Sequence, residues 1–356
     1  PTSSLFVWFV VKKSFLDGVY LRKQSETAPM SQKRATIKDI AEATGFSTAT
    51  VSYVLSGKLL QRINQQTQDI IRKKAEELNY LPNFLARSLK AGQSGFVAVL
   101  LDKFDESFVP EIIAGAEEVL NQNDYNMVLC HLNSLEEVQH KVNRLLSHSM
   151  DGFIIRSGLF DAINQSHSII PLNLPCVRVA RPPTAEHPAA LVSLEKIVKL
   201  TVEYLLAKGH HCLAIDDSIP KSRRDGLANL LTSIGKPAPL LISSQDPDEI
   251  LDAMTTLHNQ ATVLLSNDRS AVDILLRAQE RKIKIPQQFS LLGNDGLDYG
   301  KYTTPALTTI AQPRSEQGAC AAQLLMQWIQ TKKKPKTKLL MPYLIERKSV
   351  KKYSAK

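Results

Sequence analysis

At 356 residues the chain is too long for one ordinary core, so two or three domains are expected, and its 43% hydrophobic content is that of a soluble globular protein. The net charge of +9 is uneven: residues 30–91 hold ten Lys/Arg against five Asp/Glu, whereas residues 92–356 hold 30 against 28. An excess that sits mostly on a small N-terminal segment is what phosphate neutralisation requires. The four cysteines (Cys130, Cys176, Cys212, Cys320) form no CxxC pair, which argues against a zinc knuckle and fits a reducing cytosol.

The first 29 residues stand apart. Leu5 to Val11 is apolar, but seven residues cannot span a bilayer, and no basic segment precedes them as in a secretory signal. Residues 1–29 are therefore read as an extension outside the fold, with no membrane role expected.

Residues 30–79 read as small helices. Thr36 with Asp39 is an N-cap pair, and Ile37, Ile40 and Ala41 follow on one face. Gly45 supplies a tight turn. Ser47 caps a second helix whose Val51, Val54 and Leu55 point inward, leaving Thr48, Ala49, Thr50 and Tyr53 outward. This is a helix-turn-helix pattern, in which the second helix enters the major groove of DNA. Asn64 caps a third helix with Ile70, Ile71, Ala75 and Leu78 as its buried stripe. Pro82 then stops that helix and Asn83 starts a short one, too short to stand alone in water. Residues 80–94 are read as a hinge helix and linker.

From Phe96 onward, apolar runs alternate with helical patterns: FVAVLL (96–101), NMVLC (126–130), GFIIR (152–156), PCVRVA (175–180), HCLAI (211–215), TVLLS (262–266), and FSLLG from Phe289. This is the βαβ signature of a mostly parallel, doubly wound sheet. In such sheets ligands bind beyond the carboxyl ends of strands. That rule selects Arg156, the Asn267-Asp268 pair and Asp295, with Asp268 read as a helix cap. His210-His211-Cys212 is not read as a metal site, since neighbours in a strand face opposite ways. No P-loop and no nucleophile-base arrangement can be justified, so catalysis is not expected, and neither a cofactor nor a metal.

The strings ATIKDIAEATGFSTATVS, YLPNFLARSL, PALTTIAQP and LIERKSV, spread from Ala35 to Val350, resemble the LacI/GalR family of bacterial transcriptional repressors. The resemblance implies an all-α helix-turn-helix domain followed by an α/β, periplasmic-binding-protein-like domain (95–350) of two doubly wound subdomains. Subdomain one would cover about 95–189 and 313–334, and subdomain two about 190–312 and 335–350, the chain crossing near 190, 312 and 335. It implies a cytoplasmic homodimer on a pseudo-palindromic operator in double-stranded DNA. Ser47, Thr48, Ala49, Thr50 and Tyr53 would meet the major groove. Asn83, Ala86, Leu89 and Lys90 would belong to hinge helices that fold on DNA, Leu89 wedging into the minor groove. Phe108, Arg156, Arg223, Asn267 and Asp295 would line an effector site, Arg223 just before a helix starting at Asp225-Gly226.

Four positions depart from the family pattern. Tyr53 replaces a common arginine or histidine, Ala49 a longer polar residue, and Ser193-Leu194 an Asp-Asn pair. Tyrosine cannot make the two-pronged guanine contact of arginine, so the half-site cannot be carried over from a relative. Two cleft arginines favour a sugar or sugar derivative bearing an anion, because a guanidinium matches carboxylate and phosphate forks. The alternatives are a transport-class solute-binding protein, an effector-independent DNA-binding regulator, and an enzyme. The DNA module and the missing catalytic constellation count against the first and last.

Overall fold

The computed structural model describes residues 35–57, 59–80, 93–104, 106–164, 169–171, 173–257 and 262–353. Residues 1–29 and the hinge positions Asn83, Ala86, Leu89 and Lys90 lie outside them. The chain forms two units, dividing at Phe84.

The N-terminal unit holds three helices, α1 (Ile37–Thr44), α2 (Thr48–Ser56) and α3 (Gln65–Glu77). A reciprocal capping box starts α1: the Thr36 N–H donates to Asp39 Oδ2 at 2.7 Å, and the Asp39 N–H donates to Thr36 Oγ1 at 3.3 Å. Gly45 ends α1 at φ 73°, a left-handed conformation that costs glycine little. Ile40, Val51, Val54, Ile71 and Ala75 form the core. The expected stripe of α3 needs correction. Ile70 and Leu78 are 43% and 38% exposed, and Gln68 is buried instead. Ile70 lies about 100° around the helix from Ile71, and Leu78 sits at the C-cap, past the last full turn. Gln68 Nε2 donates to the Leu60 and Ile63 carbonyls at 3.1 and 2.8 Å, tying the turn before α3 to its flank.

The second unit begins with β1 (Phe96–Leu101), α4 (Val109–Gln122), β2 (Asn126–His131), α5 (Leu135–Ser147), β3 (Gly152–Arg156), α6 (Gly158–Asn164), β4 (Cys176–Val179) and β5 (Ala189–Val192). There follow α7 (Leu194–Ala207), β6 (Cys212–Asp216), α8 (Lys221–Ser233), β7 (Leu240–Ile242), α9 (Pro247–Thr256), β8 (Thr262–Leu265), α10 (Asp268–Glu280), β9 (Ser290–Asp295) and β10 (Thr308–Ala311). Last come α11 (Arg314–Thr331), β11 (Lys338–Leu340) and β12 (Tyr343–Ile345).

These strands make two six-stranded sheets, ordered β11-β5-β4-β3-β1-β2 and β12-β10-β9-β8-β6-β7. All described neighbours are parallel except β10 and β12. Each sheet is covered by helices on both faces: α4 and α11 against α5 and α6 in the first, α7 and α8 against α9 and α10 in the second. In both, the strand order reverses beside the first strand, between β1 and β3 and between β6 and β8. Those switch points open a crevice at the strands' carboxyl ends.

The crossings between sheets differ from the expected ones near 190 and 335. β5 pairs with β4 and β11 in the first sheet, so the first crossing comes at Ser193. β11 belongs to the first sheet and β12 to the second, so the third falls at Met341-Pro342. The middle crossing is Gln312-Pro313, between β10 and α11. Helix α11 packs on α4 almost backbone to backbone. A Cβ on Gly115 would lie 1.9 Å from the Ser315 carbonyl oxygen, and one on Gly318 would lie 1.8 Å from that of Ile112.

Candidate DNA interface and ligand cleft

In the N-terminal unit, the Ser47 hydroxyl accepts the Thr50 N–H at 3.1 Å and lies 2.9 Å from Thr50 Oγ1. The cap fixes where α2 begins and so which residues face out. Ser47, Thr48, Ala49 and Tyr53 are exposed, Thr50 is half-buried, and Val51 and Val54 are buried beneath them. The start of α2 thus presents short exposed side chains at a helix N-terminus, a surface that admits a phosphate backbone and base edges.

In the large unit the cleft is built from strand ends. On the first sheet, Arg156 closes β3. Its buried guanidinium pairs with Glu106, lies 3.9 Å from Asp102 and stands 5.0 Å from the Phe108 ring centre. Burial pulls the Arg156 pKa down, and Glu106 and Asp102 pull it back up. Asp102 also accepts the Gly158 N–H at the start of α6 and lies 3.7 Å from Arg181. Phe108 is the residue before α4. Its ring carries a second guanidinium, that of Arg314, 4.0 Å from its centre.

On the second sheet, Asp295 ends β9 at φ 138°, a region that disfavours side chains. Its Oδ1 accepts from Arg314 Nη2 (2.9 Å), Gln312 Nε2 (2.7 Å) and Asn294 Nδ2 (3.0 Å). Arg223 lies in the first turn of α8, which begins at Lys221, four residues earlier than expected, because Pro220 serves as its N-cap residue. The Arg223 side chain is buried and makes no hydrogen bond or ion pair among the described residues. Burial pushes its pKa down to about 10, opposed by Asp295 and reinforced by Arg314.

The capping role expected of Asp268 falls to Asn267. Asn267 caps α10, its Oδ1 accepting the Ser270 N–H at 2.9 Å. Asp268 is fully buried. Its Oδ2 accepts the Gly296 and Leu297 N–H groups at 2.8 and 2.7 Å, and its Oδ1 accepts the Thr309 hydroxyl at 2.7 Å. Asp268 thus shapes the loop after Asp295. Ser193 caps α7, accepting the Lys196 N–H at 3.3 Å, and Leu194 beside it is exposed. Phe108, Arg156, Arg223 and Asp295 therefore converge, joined through Arg314, which the sequence reading did not single out. His210 is buried, its Nε2 2.9 Å from the Lys351 carbonyl oxygen, holding the C-terminal segment. Among the described residues no group of His, Cys, Asp and Glu is set to hold a metal, and no helix is long and apolar enough to cross a membrane.

A helix-turn-helix unit followed by a two-sheet unit with a polar cleft defines a ligand-responsive DNA-binding regulator. Residues 36–83 match the bacterial regulatory proteins of the lacI family, and residues 202–350 match the periplasmic binding protein-like domain. The HTH-type transcriptional repressor PurR of Vibrio parahaemolyticus serotype O3:K6 is 29% identical over 337 residues, covering 89% of this chain and 99% of its own. The ribose operon repressor of Haemophilus influenzae is 26% identical over 343 residues, covering 90% and 100%. The solved structure of the lac repressor bound to ONPG in its repressed state is similar at a TM-score of 0.74 and 23% identity, covering 89% of this chain and 100% of that one. The chain thus carries a lacI-family DNA-binding region and a periplasmic binding protein-like domain, and its relatives over nearly its whole length are transcriptional repressors.

Proposed function

We propose that the protein is a homodimeric repressor acting on a pseudo-palindromic operator, its DNA affinity set by a small carbohydrate-related molecule of anionic character in the cleft. In this reading Ser47, Thr48, Ala49, Thr50 and Tyr53 meet the major groove. Asn83, Ala86, Leu89 and Lys90 form the hinge, with Leu89 as the wedge that opens a base step. Phe108 and Arg156 from one subdomain, and Arg223 and Asp295 from the other, receive the effector; Asn267, held as a cap, contributes through its side-chain amide. The repressor names of the relatives support the DNA half, and the ribose operon repressor supports the carbohydrate class.

The observation that carries the ligand half is Arg223. Its Nε is buried without a hydrogen-bond partner among the described residues and burial disfavours its charge, a cost that a bound anion relieves. A thermal-shift panel on the full chain tests this, using sugar phosphates, sugar acids and their neutral parents. Anionic members are expected to raise the unfolding temperature. Arg223→Met should abolish that rise while stabilising the ligand-free protein by about 1–3 kcal/mol, because an unpaired buried cation is gone. Stabilisation of the wild type by neutral sugars alone would rule out an anionic effector.

A second reading, regulation without an effector, draws on the Asp295 carboxylate, which already holds Arg314, and on Ser193-Leu194 in place of two polar wall residues.

A further inference from the structure

Arg314 occupies an unusual place. It is the first residue of α11, immediately past the middle crossing, and α11 packs on the first sheet. Its guanidinium stacks on Phe108 of that subdomain, yet its Nη2 donates to Asp295 of the other. Arg314 is buried and Asp295 part-buried, with side-chain exposures of 8% and 14%. In a site shielded from water a charge-assisted bond of this kind is strong. The aromatic face and Gln317, whose Oε1 accepts from Nη1 at 3.3 Å, fix the direction of the fork.

We propose that Arg314 is a latch across the cleft, holding the two subdomains together at Asp295 without ligand, and that an effector acts by taking over one half of this pair. The inference rests on reading the cleft as the effector site. All three donors to Asp295 converge on Oδ1, and Oδ2 accepts no hydrogen bond among the described residues. Arg223 lies within electrostatic reach of both Asp295 and Arg314, attracted by the first and repelled by the second. One carboxylate thus stands between two cations. An anion seated on Arg223 or Arg314 changes which of them Asp295 holds, and with it the contact between subdomains. Arg314 is in these terms a specificity-determining residue. It ties up the acid that would hold a neutral sugar's hydroxyls and offers a guanidinium to an anion instead.

Hydrogen–deuterium exchange on the full chain tests the latch, with Arg314→Met, Asp295→Asn and the double variant. Either single change should speed exchange on both walls, at residues 106–108 and at 296–299, by about tenfold, the scale of one lost charge-assisted hydrogen bond. The double variant should exchange no faster than the singles, and Arg314→Lys should fall between Arg314→Met and wild type. Operator affinity should move in the same direction and by a similar factor in both singles. If Arg314 only props Phe108, then Arg314→Met loosens 106–108 alone and Asp295→Asn leaves that loop at the wild-type rate. That pattern, or additive effects in the double variant, overturns the latch. The exchange arms need no DNA, so the latch and the regulator reading fail separately: absence of specific DNA binding by the wild type would defeat only the latter.

Discussion

Asp268 takes on a second task by being buried. It accepts two backbone N–H groups and one hydroxyl, yet its pKa is raised from 3.8 to about 6, because loss of water outweighs those bonds. A carboxyl with a raised folded pKa favours folding when protonated. Its contribution is fully present below about pH 4 and is lost as pH rises through 6, on the order of 3 kcal/mol across that window. A side-chain amide in its place could still accept from the two backbone N–H groups and turn its NH2 to Thr309. Asp268→Asn should therefore gain stability relative to wild type between pH 4.5 and pH 7.5 in urea titrations; a difference that stays constant with pH would contradict this. The sequence showed that a polar pair ends β8, but not which residue caps. That depends on where α10 starts to within one residue, a distinction set by burial of the loop at Gly296. Gly296 itself has no alternative, since φ is 84° and a Cβ would lie 2.5 Å from that of Ala311. Arg314 was illegible for a related reason. Its role comes from a side chain turning back across a crossing, and neither spacing nor residue type records that.

At the scale of elements, strands lying in apolar runs were legible and most short segments without such a run were not. The strands β1, β3, β4, β6, β8 and β9 coincide with runs rich in Val, Ile and Leu, whose burial on both faces removes polar alternation, and the edge strand β2 coincides with an apolar run although it stays largely exposed. β5, β7, β10, β11 and β12 have only three or four residues each, and their pairing is decided by the sheet they join. The third crossing was misplaced because β11 went unread. The close contact of α4 and α11 depends on two glycines far apart in sequence, which no local pattern links. It makes a sharp expectation: Gly318→Val drives a side chain into the Ile112 carbonyl and should destabilise the second unit by on the order of 3 kcal/mol or prevent its folding. Near-wild-type denaturant unfolding of that variant would show that the helices can separate at little cost.

At the scale of the whole molecule, the two units divide the work. The N-terminal unit presents an exposed, capped helix start, and the large unit presents a cleft whose walls come from two sheets joined by three crossings. Control of one by the other is linkage: an effector changes operator affinity only by as much as it prefers one cleft state, typically about 1–3 kcal/mol. The direction of that change is not encoded in α2 or in the cleft. Neither is the operator, because Ala49 and Tyr53 do not carry the base preference of a longer polar residue or an arginine. The most direct test of the account is selection of binding sites from random duplex DNA by the purified full-length protein, followed by affinity measurements at fixed salt on the selected and unselected duplexes. The account predicts a two-fold-symmetric consensus bound at least about 10³-fold more tightly than random DNA. Equal affinity for both pools, falling together as salt rises, would contradict it and leave only a basic protein that binds phosphate.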